Sequence, residues 1–481
     1  MAAPVQNPSP RDLQSAGGPP VWKRYPYALS PNDPQLSFPA AEGDQGAESN
    51  TYYLAGRLRG VRSRREWAYF VVFTFNNIRG WLRSDFYTFA LFDLGDGRYG
   101  TYTEHDLPHP ARRRRSYKLS VTKGYLDVTF ASACGPCQWT TRRRADGALE
   151  PFAYHLRLQG RDAQGNAMRL EIDADAGKPP LPVGGAEYAG IKTCMGQYGT
   201  HSYFQSDVRA AGTLAWSDVQ EEVIGDAGWI DRQWTPRHLG VHQGLRSTRY
   251  RHEWRQLHLD NGVELSVWLQ LDRRRHGRPI PFSGATAAGP AGDVSATTDF
   301  AIDRLTFVRD PGLVRPRLAL TRGAKYFTDA YRLRIPAWEL DVHSEPLCPA
   351  PAHAFPIEYW SGPTRLRGTM QGRAVSGFGF HERTHVFARD FELVDVLRSS
   401  LRHLRSEMVP PDDPPPPALA NRVWEIDAFL SRGDRAAARR YLASHVRPVL
   451  ERLRHDVRGH LLGIAADLDA ALARRGLSRI R

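Results

Sequence analysis

From Asn50 onward the chain is dominated by short runs in which apolar and polar residues alternate. Thr51 to Leu58, Glu66 to Asn76, Tyr87 to Leu94, Tyr117 to Val121, Tyr125 to Phe130, Tyr154 to Gln159 and Met168 to Ile172 are rich in Tyr, Phe, Val and Thr. Turn signals such as Gly95-Asp-Gly97, Ala145-Asp-Gly147 and Asp162-Ala-Gln-Gly165 separate them. Strand-period runs with no helical pattern between them predict an antiparallel sheet closed, or nearly closed, into a barrel. Pro179-Pro-Leu-Pro-Val-Gly-Gly185 interrupts the series. A second series follows: Ser202 to Val208, Gly212 to Ala215, Gln220 to Ile224, Trp229 to Trp234, Tyr250 to Leu259, Val263 to Leu271, Arg304 to Val308, Ala324 to Leu333, Glu339 to Ser344, Tyr359 to Gln371 and Phe378 to Phe387. Asp260-Asn-Gly262 marks a hairpin. A three-residue turn there sets Trp254 opposite Trp268, Gln256 opposite Ser266 and His258 opposite Glu264, whereas a two-residue turn mixes the faces.

After Phe387 the period changes. Leu393, Val394, Val396, Leu397, Leu401 and Leu404 suit a helix that ends at the stiff Pro-rich stretch beginning at Pro410. Beyond it, Leu442, Val446, Val449, Leu453, Val457, Leu461, Ile464, Leu468 and Leu472 recur every three or four residues as one helical stripe, with Arg on the opposite face. A helix pair packed on itself or on the barrel is the first reading of this tail; peripheral membrane contact or a protein partner is the alternative. The N-terminal residues are rich in Pro, Ser, Asn and Gly, which predicts an irregular leader with local packing through Trp22, Tyr25, Tyr27 and Phe38. The expected division is a leader (1–45), a first barrel (46–185), a second barrel (186–390), a helix (391–409), a linker (410–418) and a helical tail (419–481).

The 481 residues and 41% hydrophobic content are enough for at least two cores. No apolar run reaches the roughly 18 residues of a spanning helix, and Met1 to Pro8 carries no apolar signal core, so the expected compartment is the cytoplasm. The net charge of +13 is Arg-biased and dispersed apart from Arg112 to Arg115 and Arg273 to Arg275. With no recognition-helix, zinc-finger or aromatic RNA-binding motif, nucleic acid is the weaker reading of that charge and a solvated or membrane-facing surface the stronger. Four cysteines are too few for a disulfide framework. Cys134-Gly-Pro-Cys137 copies a redox motif but lies between extended runs, so a turn carrying two thiols is favoured over a helix-activated thiolate. No metal-ligand spacing, phosphate loop or Gly-x-Ser-x-Gly elbow occurs; the expectation is chemistry without cofactor or metal.

The densest chemistry lies in Gly225-Asp-Ala-Gly-Trp-Ile-Asp-Arg-Gln-Trp234, read as a Gly-rich turn leading into a strand. Alternation puts Trp229, Asp231 and Gln233 on one face and Ile230, Arg232 and Trp234 on the other. A carboxyl group beside aromatic walls is one way to obtain an acid with a raised pKa. Several segments, in order, resemble the carotenoid 1,2-hydratase (hydroxyneurosporene synthase) and AttH-like family of tandem lipocalin-like barrels. Asn50-Thr-Tyr-Tyr-Leu-Ala-Gly-Arg-Leu58 resembles its Glu-Trp-Trp-Tyr-Phe-Thr-Gly-His-Leu opening. Tyr203 to Arg209 with Gly212-Thr-Leu214 resembles the entry to the second barrel. Trp229 to Trp234 resembles its Trp-x-Asp-His/Arg-Glu/Gln-Trp signature, and Trp254-x-x-Leu-x-Leu-Asp-Asn-Gly262 follows as in the family. Tyr359-Trp-Ser-Gly-Pro363 and Gly377 to Thr384 resemble the closing elements. Asn50 replaces a family carboxylate, Thr51 a Trp, and Arg232 stands where the hydratases often have His.

The resemblance, spanning residues 35–390, implies a mainly β protein with two lipocalin-like antiparallel β-barrel domains in tandem and a C-terminal α-helical appendage. It implies a cofactor-independent enzyme acting on a terpenoid or polyene by acid-catalysed hydration or cyclisation of a double bond. A non-catalytic lipid or terpenoid carrier and a pericyclase of secondary metabolism are the alternatives. Asp231 is the first choice for proton donor; its bland reading is a structural carboxylate paired with Arg232 or capping the preceding turn. Glu382 is the second choice, against a carboxylate buried on an Arg. Trp229, Arg232, Gln233, Trp234, Trp254, His258, Trp268 and Tyr52 are the expected substrate-binding residues, and His242 and His252 further acid/base candidates. The expected partner is a hydrophobic small molecule.

Overall fold

The computed structural model describes residues 20–29, 36–47, 49–77, 83–106, 118–183, 191–194, 198–235, 250–273, 278–280, 283–312, 323–355, 357–410, 413 and 415–474. Residues 1–19 and 30–35 of the leader, residue 48, Arg112 to Arg115, Arg274, Arg275, His242 and residues 411, 412 and 414 of the Pro-rich linker lie outside them. The fold is mainly β, with two curled half-barrel sheets in tandem and short helices at the C-terminal end.

The first sheet is built from β1 (Ser49–Gly60), β2 (Glu66–Asn77), β3 (Arg83–Asp93), β4 (Arg98–Asp106), β5 (Leu119–Val121), β6 (Asp127–Ser132), β7 (Gly135–Arg143), β8 (Leu149–Arg161), β9 (Ala167–Ala176), β10 (Tyr198–Gln205), β11 (Val208–Trp216) and β12 (Val219–Thr235). Their spatial order is β4-β3-β2-β1-β12-β11-β9-β8-β7-β6-β5, with β10 also paired to β12. Strands β1 to β3 bury both faces. Tyr52, Leu54, Trp67, Tyr69, Val71, Phe73, Tyr87 and Phe89 fill the inside of the curl. Tyr53, Ala55, Ala68, Phe70, Val72, Phe86 and Phe92 form an outer apolar layer instead. That double burial explains the nearly unbroken apolar run from Trp67 to Phe75.

The expected division at residue 185 differs from the strand pairing. Strands β10 to β12 follow the Pro-rich interruption yet hydrogen-bond within the first sheet, β11 to β9 and β12 to β1. The expected Gly turn before Trp229 is also absent: β12 runs straight through, with one register shift between Ile224 and Ala227. A Cβ on Gly225 would lie 2.7 Å from the Arg57 carbonyl oxygen, and one on Gly228 2.8 Å from that of Val208. These glycines serve close backbone approach rather than a turn. The described part of the leader packs through the expected residues. Trp22, Tyr25, Tyr27 and Phe38 gather around Phe152 and join the first core.

The second sheet comprises β13 (Tyr250–Leu259), β14 (Glu264–Asp272), β15 (Gly284–Ala288), β16 (Val294–Thr297), β17 (Ala301–Arg304), β18 (Tyr331–Ile335), β19 (Leu340–Pro346), β20 (Trp360–Met370) and β21 (Arg373–Arg383). Its order is β16-β15-β14-β13-β21-β20-β19-β18-β17. The β13–β14 hairpin takes the three-residue register: Trp254 faces Trp268, Gln256 faces Ser266 and His258 faces Glu264. Gly262, at φ 80°, supplies the left-handed residue this turn needs. Leu257, Leu259, Leu265 and Val267 therefore line the inside, with Leu333 and Val342 opposite. Strands β15 and β16 escape a pattern reading because Gly284-Ala-Thr-Ala-Ala288 lacks the large residues that mark a strand.

Among the described residues five α-helices follow: α1 (Asp390–Arg402), α2 (Pro416–Ser431), α3 (Arg435–Tyr441), α4 (Arg447–Arg452) and α5 (His455–Ala473). Proline at the first turn of α2 uses part of the expected linker to start a helix. The expected single stripe is broken into segments by the wider turn at Leu442–Val446 and the extended Leu453, yet its apolar residues still converge. Leu442, Val446, Val449, Leu461, Ile464, Leu468 and Leu472 share one core with Phe307, Tyr326 and Phe387 of the second half of the chain. The helices thus pack on one another and on the β structure. No described helix is long and apolar enough to cross a membrane. Cys134 and Cys137 flank the β6–β7 hairpin, and burial pushes the Cys137 thiol up to about 11, away from thiolate chemistry.

Candidate functional site between the two sheets

The outer face of the first sheet and the outer face of the second meet in one apolar layer. Tyr53, Phe70, Phe92, Phe204 and Trp229 come from the first; Trp254, Trp268, Tyr359, Phe378 and Phe380 come from the second half of the chain. Trp229 packs edge-on against Phe380 at 5.5 Å. Trp254 and Trp268 meet edge to face at 4.9 Å, and the Trp254 indole N–H donates to Ser266 Oγ at 2.8 Å. Phe355 stacks on Tyr359 at 3.8 Å. Aromatic faces of this kind stabilise positive charge.

Two carboxyl groups enter this layer from opposite sides. Asp231, 3% exposed, accepts a hydrogen bond from Ser202 Oγ at 3.1 Å. Because alternation sends Arg232 to the other face of β12, Asp231 does not pair with its neighbour. Glu382 lies directly across the ladder from Trp254. Its Oε1 is 2.6 Å from His252 Nε2, and its Oε2 accepts from the Tyr359 hydroxyl at 2.6 Å. Its partners are thus an imidazole and a phenol rather than the arginine of the bland reading. His252 lies flat on Trp268 at 4.5 Å and is bracketed by Thr384, whose Oγ1 is 3.4 Å from Nδ1. Burial and the neighbouring Glu382 raise the Tyr359 phenol well above its ordinary range, so it stays a donor. Tyr53 is raised likewise by burial and lies within electrostatic reach of both Glu382 and Asp231, which brings the two carboxyl groups into one neighbourhood.

The expected site residues therefore divide. Trp229, Asp231, Trp254, Trp268 and Glu382 converge in the layer, and Gln233 follows on the same face of β12 at its partly exposed end. Arg232, Trp234 and Tyr52 do not join them. They lie inside the first half-barrel, where the Arg232 guanidinium sits 3.9 Å over the Tyr52 ring and 5.2 Å from that of Trp234. Arg232 donates to Asn50 Oδ1, the Tyr52 hydroxyl and the Gly43 carbonyl oxygen, and so ties the N-terminal segment into the core. His258 shares the face of Trp254 but lies four residues along the strand, about 13 Å away. Its Nδ1 is 2.7 Å from Glu264 Oε1, in a network with Lys178 that braces the two sheets.

Pattern reading underweighted Tyr359, Tyr53 and Ser202, and left His252 among several histidines. The signal that groups them is the register of β21 against β13, which places Glu382 beside Trp254 and Arg383 beside Glu253. Pairing across more than 120 residues of chain leaves no mark on local periodicity.

The solved structures that resemble the chain include the following two. One is an AttH protein from Nitrosomonas europaea, with a TM-score of 0.51 and 16% identity, covering 74% of this chain and 98% of that one. The other is kievitone hydratase from Nectria haematococca, with a TM-score of 0.47 and 14% identity, covering 72% of this chain and 92% of that one. No curated protein matches the sequence. The family model described as AttH-like matches residues 30–384, both sheets and the layer between them, and the chain belongs to the AttH-like family.

Proposed function

We propose that the chain is a hydratase-type enzyme that adds water to a double bond of a hydrophobic terpenoid or polyene held in the aromatic layer between the sheets. The observation that carries this reading is the pair of carboxyl groups in that layer, one beside Trp229 and one bonded to both His252 and Tyr359. Asp231 gives its proton to one alkene carbon, and the indole faces of Trp229, Trp254 and Trp268 stabilise the cation that forms. Water attacks the adjacent carbon and loses its proton to the Glu382–His252 pair, while Tyr359 holds Glu382 in place. The product carries one added hydrogen and one added hydroxyl. Proton exchange with solvent returns both groups to their starting states. Carotenoid 1,2-hydration is the specific form of the reaction that the sequence motifs support.

Incubation with acyclic carotenoids and prenyl-bearing phenols in oxygen-18 water tests this. The expected product is heavier by one water and carries the label; Asp231→Asn and Glu382→Gln should each slow its formation by about 10²–10⁴-fold. A product of unchanged mass but altered retention would indicate cyclisation. Ligands recovered unaltered, with turnover absent throughout the substrate panel, would sink the enzymatic reading in favour of a carrier.

A further inference from the structure

The reverse face of the same strands carries a cluster that the proposed reaction does not use. Arg255, Glu253 and His381 are 0% exposed and Arg383 is 1% exposed, all inside the second half-barrel. Arg255 lies directly across the ladder from His381, and Glu253 directly across from Arg383. The Arg255 guanidinium stands 4.4 Å over the Tyr331 ring, and His381 meets the same ring edge-on at 4.9 Å, so the two polar groups converge on one spot. Glu253 accepts from Arg255 Nη2, from Arg304 Nε and Nη2 at 3.3 Å, and from Thr328 Oγ1. Arg383 donates one hydrogen bond, to the Thr328 carbonyl oxygen at 2.7 Å.

What remains is unmatched. Among the described residues, Arg255 Nε and Nη1, Arg383 Nε and both ring nitrogens of His381 are shielded from solvent and have no partner. Leaving a buried guanidinium N–H unsatisfied is costly, because the group has lost its water without replacement. The charges do not balance either. Arg255, Arg304 and Arg383 face two carboxyl groups: Glu253, which burial pushes up but Arg304 and Arg255 hold down to about 2, and Asp329, which burial raises and Arg383 lowers. Burial and the surrounding Arg255, Arg383 and Arg304 keep His381 neutral. Three guanidinium groups thus stand against two carboxyl groups in a largely buried polar cluster of an otherwise apolar half-barrel. The Arg304 side chain, 20% exposed, marks its route to solvent.

We propose that this cluster is a binding site for a small oxyanion, a phosphate, a sulfate or the carboxylate of a metabolite, held by Arg255, Arg383 and His381. Buried guanidinium N–H groups without a partner make strong, charge-assisted hydrogen bonds to the oxygens of such an anion.

The test uses the full chain. Crystals soaked in selenate should show an anomalous peak within hydrogen-bonding distance of Arg255 Nε or Nη1. In solution, the unfolding midpoint should rise with phosphate, sulfate or acetate in a saturable way at constant ionic strength, by comparison with chloride. Whichever of the three saturates at the lowest concentration identifies the ligand chemistry. Arg304→Gln at the rim should weaken that saturation at least several-fold, and His381→Phe, which keeps the ring contact with Tyr331, should do the same. Sulfate also stabilises proteins generally by exclusion from their surfaces. A rise that does not saturate, or that is equal in both variants and the parent, is that general effect and overturns the proposal. Discrete waters at Arg255 in anion-soaked crystals overturn it as well.

Discussion

Glu42 is a fully buried carboxyl group inside the first half-barrel, where it accepts from the Tyr25 hydroxyl at 2.7 Å and the Tyr154 hydroxyl at 2.6 Å. Burial pushes it up to about 7, against the opposing pull of those two hydrogen bonds and of Arg232. Its folded value thus lies above its ordinary value of 4.5, so the folded state binds the proton more tightly than the unfolded chain. The stability this lends is complete below about 4.5 and is lost as pH rises through 7, an effect on the order of 3 kcal/mol. Glu42→Gln keeps an acceptor for one of the two phenols and removes the charge. Denaturant unfolding at pH 5 and pH 8 should therefore show a smaller loss of stability on going to pH 8 in the variant than in the parent. No pattern in the leader announces this residue. Residues 39–44 read as an irregular segment, and burial of Glu42 follows from the packing of Phe38 and Ala41 into a core whose other members lie far along the chain. Asp231 is the opposite case, since its strand period and its indole neighbours mark it from sequence.

Element boundaries were legible where both faces of a strand carry large residues, and illegible where the chain is small-residued. Strand β12 reads as two short strands and a turn because Gly225 and Gly228 look like punctuation, whereas each admits the backbone of a neighbouring strand. The helices show a similar limit. The apolar stripe of the tail identifies what is buried but not that the chain breaks at Leu453. Beside the shared apolar core, an ion pair ties the first helix to the end of β14: Arg273 Nε and Nη2 each donate to a Glu392 oxygen at 2.6 Å, and Glu392 also accepts from the backbone N–H groups of Ala388 and Arg389. Burial pushes this carboxyl up, but Arg273 outweighs it and holds it down to about 2. Glu392→Gln leaves a buried guanidinium without its counter-charge and should cost about 3–5 kcal/mol. Urea unfolding would measure it, and limited proteolysis should reveal earlier cleavage within α1 to α5.

At the scale of the molecule, strand pairing overrides chain order. The first sheet is completed by β10 to β12, which arrive after the Pro-rich interruption, and the guanidinium of Arg57 in β1 binds Asp226 in β12 across 169 residues of sequence. A fragment of residues 20–185 exposes the edges of β1 and β9 that β12 and β11 cover, and should fail to unfold cooperatively. A fragment of residues 20–235 restores both ladders and should show a cooperative transition by circular dichroism; equal behaviour of the two would contradict this view of the sheet. The count of two sheets and a helical tail was legible from runs and periods. Which strands complete which sheet was not, because ladder partners are chosen by long-range packing and not by local composition.

Strand β12 turns Asp231 toward the layer between the sheets and Arg232 toward the interior of the first half-barrel. The acid of the proposed reaction is thus seated by a chamber outside the proposed reaction space. Repacking around Tyr52 and Trp234 would slide that carboxyl group without touching a wall of the aromatic layer. Under the proposed function, substrate scope would therefore be retuned from behind the layer, and a mutational scan would score such positions alongside those that line it.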